Sequence, residues 1–242
     1  MNWHERYTQQ ANWTQDLRNY LFDKAGLTTA RRVLEVGCGT GAILASINTP
    51  ASLYGLDIAP GVLNEAKIHL PRAMLVRADA HSLPYTDFAF DITFCHFLLL
   101  WVRDPLQVVR EMARVTRPGG NVLALAEPDY SQRVDKPVSL ALLGKWQAEA
   151  LVRQGANPSF GARLADTFTR AGIKIFEAGT IQRSKNEASR EEQEIEWTVL
   201  EADLASSIPD AELQKMKQLD GKAWAKGERV LHVPTYFAWG RV

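Results

Sequence analysis

Three features of the sequence predict an α/β fold built on a doubly wound, mostly parallel sheet. Strand-like apolar runs alternate with helix-period segments from residue 31 to about residue 180, the pattern of a parallel sheet covered on both faces. The run VLEVGCGTG at 33–41 carries Val33, Leu34 and Val36 into Gly37, Gly39 and Gly41. Such a run reads as the first strand-to-helix turn of a nucleotide-binding fold, where glycines let a ligand approach the backbone. Finally, 242 residues at 46% hydrophobic can bury one good core, so one domain with insertions is expected across 1–242.

The strands are expected at 31–36, 52–57, 73–78, 90–95, 120–127, 173–180 and 236–242. Between them, Pro60 opens a helix with Val62, Ala66 and Leu70 on one face. Asp104-Pro105 is an N-cap followed by proline at the first helical position, and Leu106, Val109 and Met112 then recur at helical spacing. Pro118-Gly119-Gly120 ends that helix and turns into the next strand. Ser159 is expected to cap a helix bearing Phe160, Leu164 and Phe168 that closes at Gly172.

Three segments fall outside the alternation. Residues 1–28 read as one amphipathic lead-in helix with Trp13, Leu17, Tyr20 and Leu21. Residues 129–157 hold a helix with Leu143, Trp146 and Ala150. The longest, 181–233, holds two helices around Ile195 and Val199 and around Leu213, Met216 and Trp224, before a terminal strand in 234–242. The periods divide the chain into a lead-in (1–28), a core (31–180) and a late helical insertion, with no linker to a second domain. The inserted helices are read as a cap that selects the acceptor, with Trp197 among its contacts, and a dimer interface is the alternative.

Composition narrows the partners. Lys plus Arg equals Asp plus Glu at 28 each, which argues against a nucleic-acid binder dependent on counterion release. The longest apolar stretch, near Phe94–Val102, contains a histidine and is too short to span a bilayer. The first twenty residues are polar throughout, so no signal peptide is expected. Cys38 and Cys95 form no CxxC pair, consistent with a reduced cytoplasmic setting and no metal-ligand spacing.

Glu35 selects among ligands. Gly37-Cys38-Gly39-Thr40-Gly41-Ala42 also fits the looser GxGxxA dinucleotide fingerprint. A dinucleotide would bring its pyrophosphate to that turn, and a carboxylate at position 35 would repel it. A ligand carrying ammonium and sulfonium groups and no phosphate reverses the argument. Asp57, at the end of the second strand, suits either ligand, because both carry a ribose diol.

With these residues in view, the chain resembles the class I S-adenosylmethionine-dependent methyltransferases over roughly residues 31–127. VLEVGCGTG resembles the glycine-rich first motif and YGLDIAPGVLNEAK at 54–67 the second. RADAHSLPYTDFAFD at 77–91 resembles the third, FDITFCHFLLLWVRDP at 90–105 the fourth strand and its turn, and EMARVTRPGGNVLALAEP at 111–128 the fifth block. The resemblance implies a Rossmann-like seven-stranded sheet whose last strand is antiparallel, with S-adenosylmethionine as cofactor. Glu35, Gly37, Cys38, Gly39 and Gly41 would then form the cofactor turn. Asp57 would chelate the ribose hydroxyls, Ile58 would pack on adenine, Asp79 would accept from the adenine amino group and the Ala80 amide would meet a ring nitrogen. Cys95, at the end of the fourth strand, is counted with the cofactor residues and is equally readable as a core filler. Asp57 and Asp79 also have a bland reading, as caps of their own turns. His69, on a helix surface, is read as inert, and Trp101 and Trp146 as packing residues.

The fourth-strand turn lacks the Asn/Asp-Pro-Pro-Tyr tetrapeptide of amide- and nucleobase-nitrogen methylators, and no proline precedes Cys95. A small-molecule acceptor follows, whose nitrogen, oxygen, sulfur or carbon nucleophile attacks the sulfonium methyl carbon in a direct displacement. A nicotinamide-dependent reductase and a non-catalytic S-adenosylmethionine-binding module are the alternative readings. Tyr7, Gln10 and Trp13 recur at helical spacing and are expected to form a lid over the methionine end of the cofactor. His96, Glu127, Asp129 and Tyr130 follow the fourth and fifth strands and are expected to face the acceptor.

Overall fold

A computed structural model describes residues 3–181 and 189–242. The first two residues of the lead-in and positions 182–188 of the 181–233 segment lie outside the described residues.

The lead-in is two helices, α1 (Trp3–Trp13) and α2 (Gln15–Lys24), broken at Thr14. Thr14 is buried, donates its hydroxyl to the Ala11 carbonyl and receives the Arg18 Nε–H at 3.2 Å. A side chain bonding back to the preceding turn competes with the helical ladder, which is why one expected helix becomes two.

The core then alternates as expected: β1 (Arg32–Val36), α3 (Ala42–Ser46), β2 (Ser52–Asp57), α4 (Pro60–His69), β3 (Met74–Arg77), β4 (Phe90–Cys95), α5 (Pro105–Val115) and β5 (Thr116–Pro128). After β5 come β6 (Val134–Lys136), α6 (Ala141–Arg153), α7 (Leu164–Arg170), β7 (Lys174–Thr180), α8 (Arg190–Leu204), α9 (Asp210–Ala225), β8 (Val230–His232) and β9 (Thr235–Arg241). Seven strands form one sheet in the order β3-β2-β1-β4-β5-β9-β7. The first five are parallel, and β9 runs antiparallel to both β5 and β7. The strand order reverses between β1 and β4, so a crevice is expected beyond their carboxyl ends.

Burial follows the two-faced logic of a parallel sheet. Leu34, Val36, Phe90, Val108 and Met112 pack on one side, and Val33, Leu44, Phe94, Leu21 and Phe22 on the other. Asp104 caps α5, its carboxylate accepting from the Gln107 amide at 3.1 Å. Asp104→Ala is expected to cost about 1 kcal/mol and lower the melting temperature by roughly 2–4 °C, as read by calorimetric melts.

Three expectations are corrected. The α5 helix ends at Val115, and Pro118-Gly119-Gly120 lies inside an irregular first stretch of β5, with Gly119 at φ 76° and its amide bonded to the Val242 carbonyl. Ser159 does not cap: the Asn157 carboxamide takes its amide and hydroxyl at 3.2 and 3.0 Å, and a 3₁₀ turn at Gly161–Arg163 leads into α7 instead. Trp197 is part of an interior, not a surface for an acceptor.

That interior belongs to the late helices. Leu140, Leu143 and Ala150 around α6 pack on Trp197, Leu200 and Leu204 of α8 and on Leu213, Met216 and Ala223 of α9. Beneath them, β6 and β8 pair as a two-stranded ladder. Arg229 joins Asp135 at 2.7 Å and Asp220 at 2.5 Å, Arg133 joins Asp135 at 2.8 Å, and the Trp197 indole donates to Asp220 at 2.8 Å. All five of these side chains are buried. The network fixes the cap by mutual neutralisation, and removing one partner would strand a buried charge.

Candidate functional site

An open crevice of roughly 1410 Å³, its solvent-filled mouth included, lies beyond β1, β2 and β4. Its floor is the glycine-rich turn, with Glu35, Gly37, Cys38 and Gly39; Asp57 and Ile58 form one side, His96–Leu98 another, and Tyr7 and Gln10 of α1 the rim. The far wall comes from the cap, through Gln147, Leu151, Gln154, Val199 and Asp203.

The turn is a tight fit. Gly37 has φ 74°, and a Cβ there would sit 2.6 Å from Leu98 Cδ1. Gly39 has φ 52°, with the Tyr7 ring 3.1 Å from where its Cβ would be. Both positions therefore require glycine for backbone and space. Asp57 braces the turn: one carboxylate oxygen accepts from the Gly39 amide and the other from the Ala59 amide, both at 2.9 Å. Ile58, just beyond, is 62% exposed, an aliphatic side chain presented to the crevice.

Glu35 is 2% exposed, and its Oε2 has no hydrogen-bond partner. Burial holds its carboxyl well above the usual range, against the opposing charge of Arg18 and an amide contact from Leu44. Arg18 is itself buried, held by Thr14, the Ser46 hydroxyl at 2.8 Å and the Ala11 carbonyl at 2.9 Å. It attracts Glu35 without an ion pair to it among the described residues. An unsatisfied carboxylate oxygen lining a cavity is costly alone and favourable beside a cationic donor.

His96 also lines the crevice, and its Nε2 meets Thr14 Oγ1 at 3.1 Å. Burial, aided by the Arg18 charge, pushes its pKa down to about 3, so the ring is neutral. Phe97 follows at φ 53°, a left-handed conformation costly for an aromatic residue. The Phe97 amide donates to the Ala126 carbonyl at 2.8 Å.

A second cavity of roughly 720 Å³ adjoins the first. Arg6, Phe97 and Tyr130 line both; Trp13, Ile181, Glu196, Leu231 and His232 line the second. Burial raises the Tyr130 hydroxyl to about 12, keeping it a donor. Trp13 donates its indole N–H to Glu192 of α8 at 3.0 Å and carries the Arg6 guanidinium 5.1 Å from its ring centre. The lead-in thus meets the cap directly.

Other expected site residues lie elsewhere. Glu127 is fully buried below the crevice, one oxygen accepting from the Leu98 amide at 3.0 Å and the other from Leu99 at 2.9 Å. Asp129 is 1% exposed and holds its own turn, accepting from Ser131, Gln132 and the Ala162 amide. Neither is among the crevice or second-cavity linings. Cys95 is buried with its Sγ 3.8 Å from Glu127. Asp79 and Ala80 fall outside the lining too, and Asp79 Oδ1 is taken by the His81 amide and ring. Trp101, read as packing, is 44% exposed and lines the crevice. His69, read as inert, stacks on His4.

Sequence reasoning missed Arg6, Arg18, Gln147 and Asp203. Arg18 carried a signal: Ala11, Thr14, Arg18, Leu21 and Ala25 form one helical stripe, and a charge on an otherwise apolar stripe marks a buried partner.

Comparison with known proteins agrees with this geometry. Residues 34–124 match the methyltransferase domain family Methyltransf_11. The chain is 29% identical over 189 residues to a demethylmenaquinone methyltransferase of Shouchella clausii, covering 69% of this chain and 78% of that protein. It is 32% identical over 127 residues to a malonyl-acyl-carrier-protein O-methyltransferase of Halorhodospira halophila, covering 49% of this chain and only 43% of that protein. In structure it is similar to geranyl diphosphate C-methyltransferase from Streptomyces coelicolor A3(2), with TM-score 0.60, 12% identity, and coverage of 94% of this chain and 77% of the other. That likeness speaks to the fold. Five parallel strands closed by an antiparallel β9, the glycine turn with its orphaned acid, and the sequence matches agree: residues 34–124 match a methyltransferase domain, set in a fold similar to that of the class I S-adenosylmethionine-dependent methyltransferases.

Proposed function

We propose that the chain transfers the methyl group of S-adenosylmethionine to a small-molecule acceptor held between the crevice and the helical cap. The observation that carries this reading is Glu35, a buried acid among the crevice-lining residues whose Oε2 has no hydrogen-bond partner. A cationic ligand satisfies it by favouring the ionised form; a pyrophosphate would oppose that ionisation. Glu35 and the glycine turn would hold the methionine end, Asp57 the ribose and Ile58 the adenine face, with Tyr7 and Gln10 closing the rim. The bound cofactor supplies an electrophilic methyl group.

The chain's own residues then orient the acceptor and exclude water. Tyr130, protonated, donates a hydrogen bond where the two cavities meet, and neutral His96 offers a fixed polar contact. The second cavity's aromatic and aliphatic lining suits an acceptor with an apolar body and one polar nucleophile. The Shouchella relative is named as a demethylmenaquinone methyltransferase, and an acceptor of that apolar kind fits this lining. Glu127 and Asp129 support the turn and make no acceptor contact.

We take 1–242 as one methyltransferase domain working in a reducing cytoplasm, where both buried thiols stay reduced. The helices of 181–233 are a lid rather than a dimer interface, because their apolar residues are consumed on α6. Among the described residues, no helix is long and apolar enough to cross a membrane.

Incubating the full chain with methyl-labelled cofactor and a panel of phenols, quinols, amines and thiols is expected to label at least one acceptor. Nicotinamide oxidation without any methyl transfer would overturn the reading in favour of a reductase.

His96 gives a further expectation. Because its ring is neutral until about pH 3, it should contribute no step to the pH–rate profile between pH 5 and 8. His96→Ala should lower turnover by less than the roughly 10²- to 10⁴-fold loss of a general base, with cofactor affinity intact. An imidazole resonance from His96 titrating near 6.5 by NMR would contradict this.

A further inference from the structure

We propose that His4, Glu65 and His69 form a transition-metal site that ties the N-terminal helix to the crevice. Glu65 and His69 stand four residues apart on α4, one turn apart on one face. His4 comes from the first turn of α1. Their ligand atoms lie within 4.8 Å of one another. The His4 and His69 rings are stacked, with centres 3.6 Å apart and planes 4° from parallel.

Two imidazoles and one carboxylate around an open position form a donor set that zinc uses when it retains a water. Imidazole nitrogens select zinc, cobalt or nickel over magnesium and calcium, which prefer all-oxygen sets. A zinc–nitrogen distance of about 2.0–2.1 Å requires the three ligand atoms to close to roughly 3.5 Å of each other in tetrahedral geometry. Imidazole lone pairs lie in the ring plane, so binding requires the His69 ring to leave its stack on His4, a movement that its exposed position allows.

A second observation orients the site. His4 Nδ1 meets Thr40 Oγ1 at 2.9 Å. With Nδ1–H donating to that hydroxyl, Nε2 is the nitrogen left to ligate a metal, and such a partner on the second ring nitrogen is characteristic of metal-bound histidine. Thr40 is fully buried between Gly39 and Gly41 of the cofactor turn. A metal held by His4 is therefore joined through one hydrogen bond to that turn. It also fastens α1, which brings Tyr7 and Gln10 to the crevice rim. No spacing rule applied to the sequence finds this set, because its ligands come from two segments about sixty positions apart.

The metal site stands on these residues alone; its effect on the crevice rests on the methyltransferase reading. Metal and crevice ligand should strengthen one another equally, as coupling is reciprocal.

The test uses the full chain, freed of metal with EDTA and titrated with zinc chloride by calorimetry, with cobalt absorption as a second readout. One zinc per chain is expected. Glu65→Gln and His69→Ala should each weaken it by at least the roughly 10- to 100-fold that changes near a metal cost. Neither residue lines the crevice, so S-adenosylhomocysteine binding in each variant reports an intact fold. Absence of zinc binding in the wild-type chain, or equal binding in both variants, would overturn the site. Saturating zinc should raise S-adenosylhomocysteine affinity severalfold in the wild type and leave His69→Ala unchanged; no rise in the wild type would overturn the tie to the crevice. A chain that binds zinc as described but never binds S-adenosylhomocysteine would count against the methyltransferase reading and for the metal site.

Discussion

Glu127→Ala is expected to destabilise the protein by on the order of 3–5 kcal/mol. The carboxylate accepts from the Leu98 and Leu99 amides, and each buried donor left unsatisfied costs about 1–3 kcal/mol. In a chain of this size that is a fall of about 10 °C in melting temperature. Cofactor affinity of the fraction that remains folded should change little, because Glu127 lies beneath the crevice and not in it. Burial pushes its pKa up to about 7, against the amides that favour the ionised form. An unfolded glutamic acid titrates at about 4.3, so the native state binds the extra proton between these values. Stability from this group is fully present below about pH 4.3 and is lost as pH rises through 7, by an amount on the order of 3 kcal/mol. Urea melts across pH 5 to 8 should show this decline in the wild type and a flatter curve in Glu127→Gln. Parallel curves would mean that the proton is held elsewhere.

Asp57→Ala is the variant expected to affect ligand binding most. Each Asp57 oxygen already accepts one backbone amide, from Gly39 and from Ala59, which sets the carboxylate at the crevice wall with lone pairs to spare. Removal would cost a charge-assisted contact to the ligand and the brace of the glycine turn together. A loss of roughly 1.5–3 kcal/mol corresponds to about 10- to 100-fold in S-adenosylhomocysteine affinity. Asp57→Asn, which can keep one amide but not the charge, should fall between. Unchanged affinity in Asp57→Ala would remove the ribose contact from the site.

These two acids show what the sequence reveals and what it hides. Both end strands, and both carry the pattern of a carboxylate opening on a ligand crevice. Asp57 does line the crevice. Glu127 is turned back by the chain after β4, whose Leu98 and Leu99 amides need an acceptor. That demand arises from the strained Phe97 turn, about thirty residues earlier, and no local pattern announces it. The sheet itself was legible because its signals are local: apolar runs broken by glycine and proline, and Asp104-Pro105 at a helix start. The cap helices were legible from their period. The β6–β8 ladder was not, since its two three-residue strands lie about a hundred positions apart and meet beside the long-range Arg229–Asp135 pair. The α1–α2 break was hidden in the same way, being decided by what Thr14 touches: Arg18 on one side and His96 on the other.

Glu35 remains the residue on which the functional reading turns. In the ligand-free protein its carboxyl is held well above the usual range by burial, and a cationic ligand beside it would favour the ionised form. Calorimetric titration of the full chain with S-adenosylmethionine, in two buffers of different ionisation enthalpy and alongside NADH, tests this without any knowledge of the acceptor. One site that takes S-adenosylmethionine in preference to NADH and releases protons on binding, with the release abolished in Glu35→Gln, is the expected result. Tighter binding of NADH, or no binding of S-adenosylmethionine at all, would show that the orphaned carboxylate faces something else.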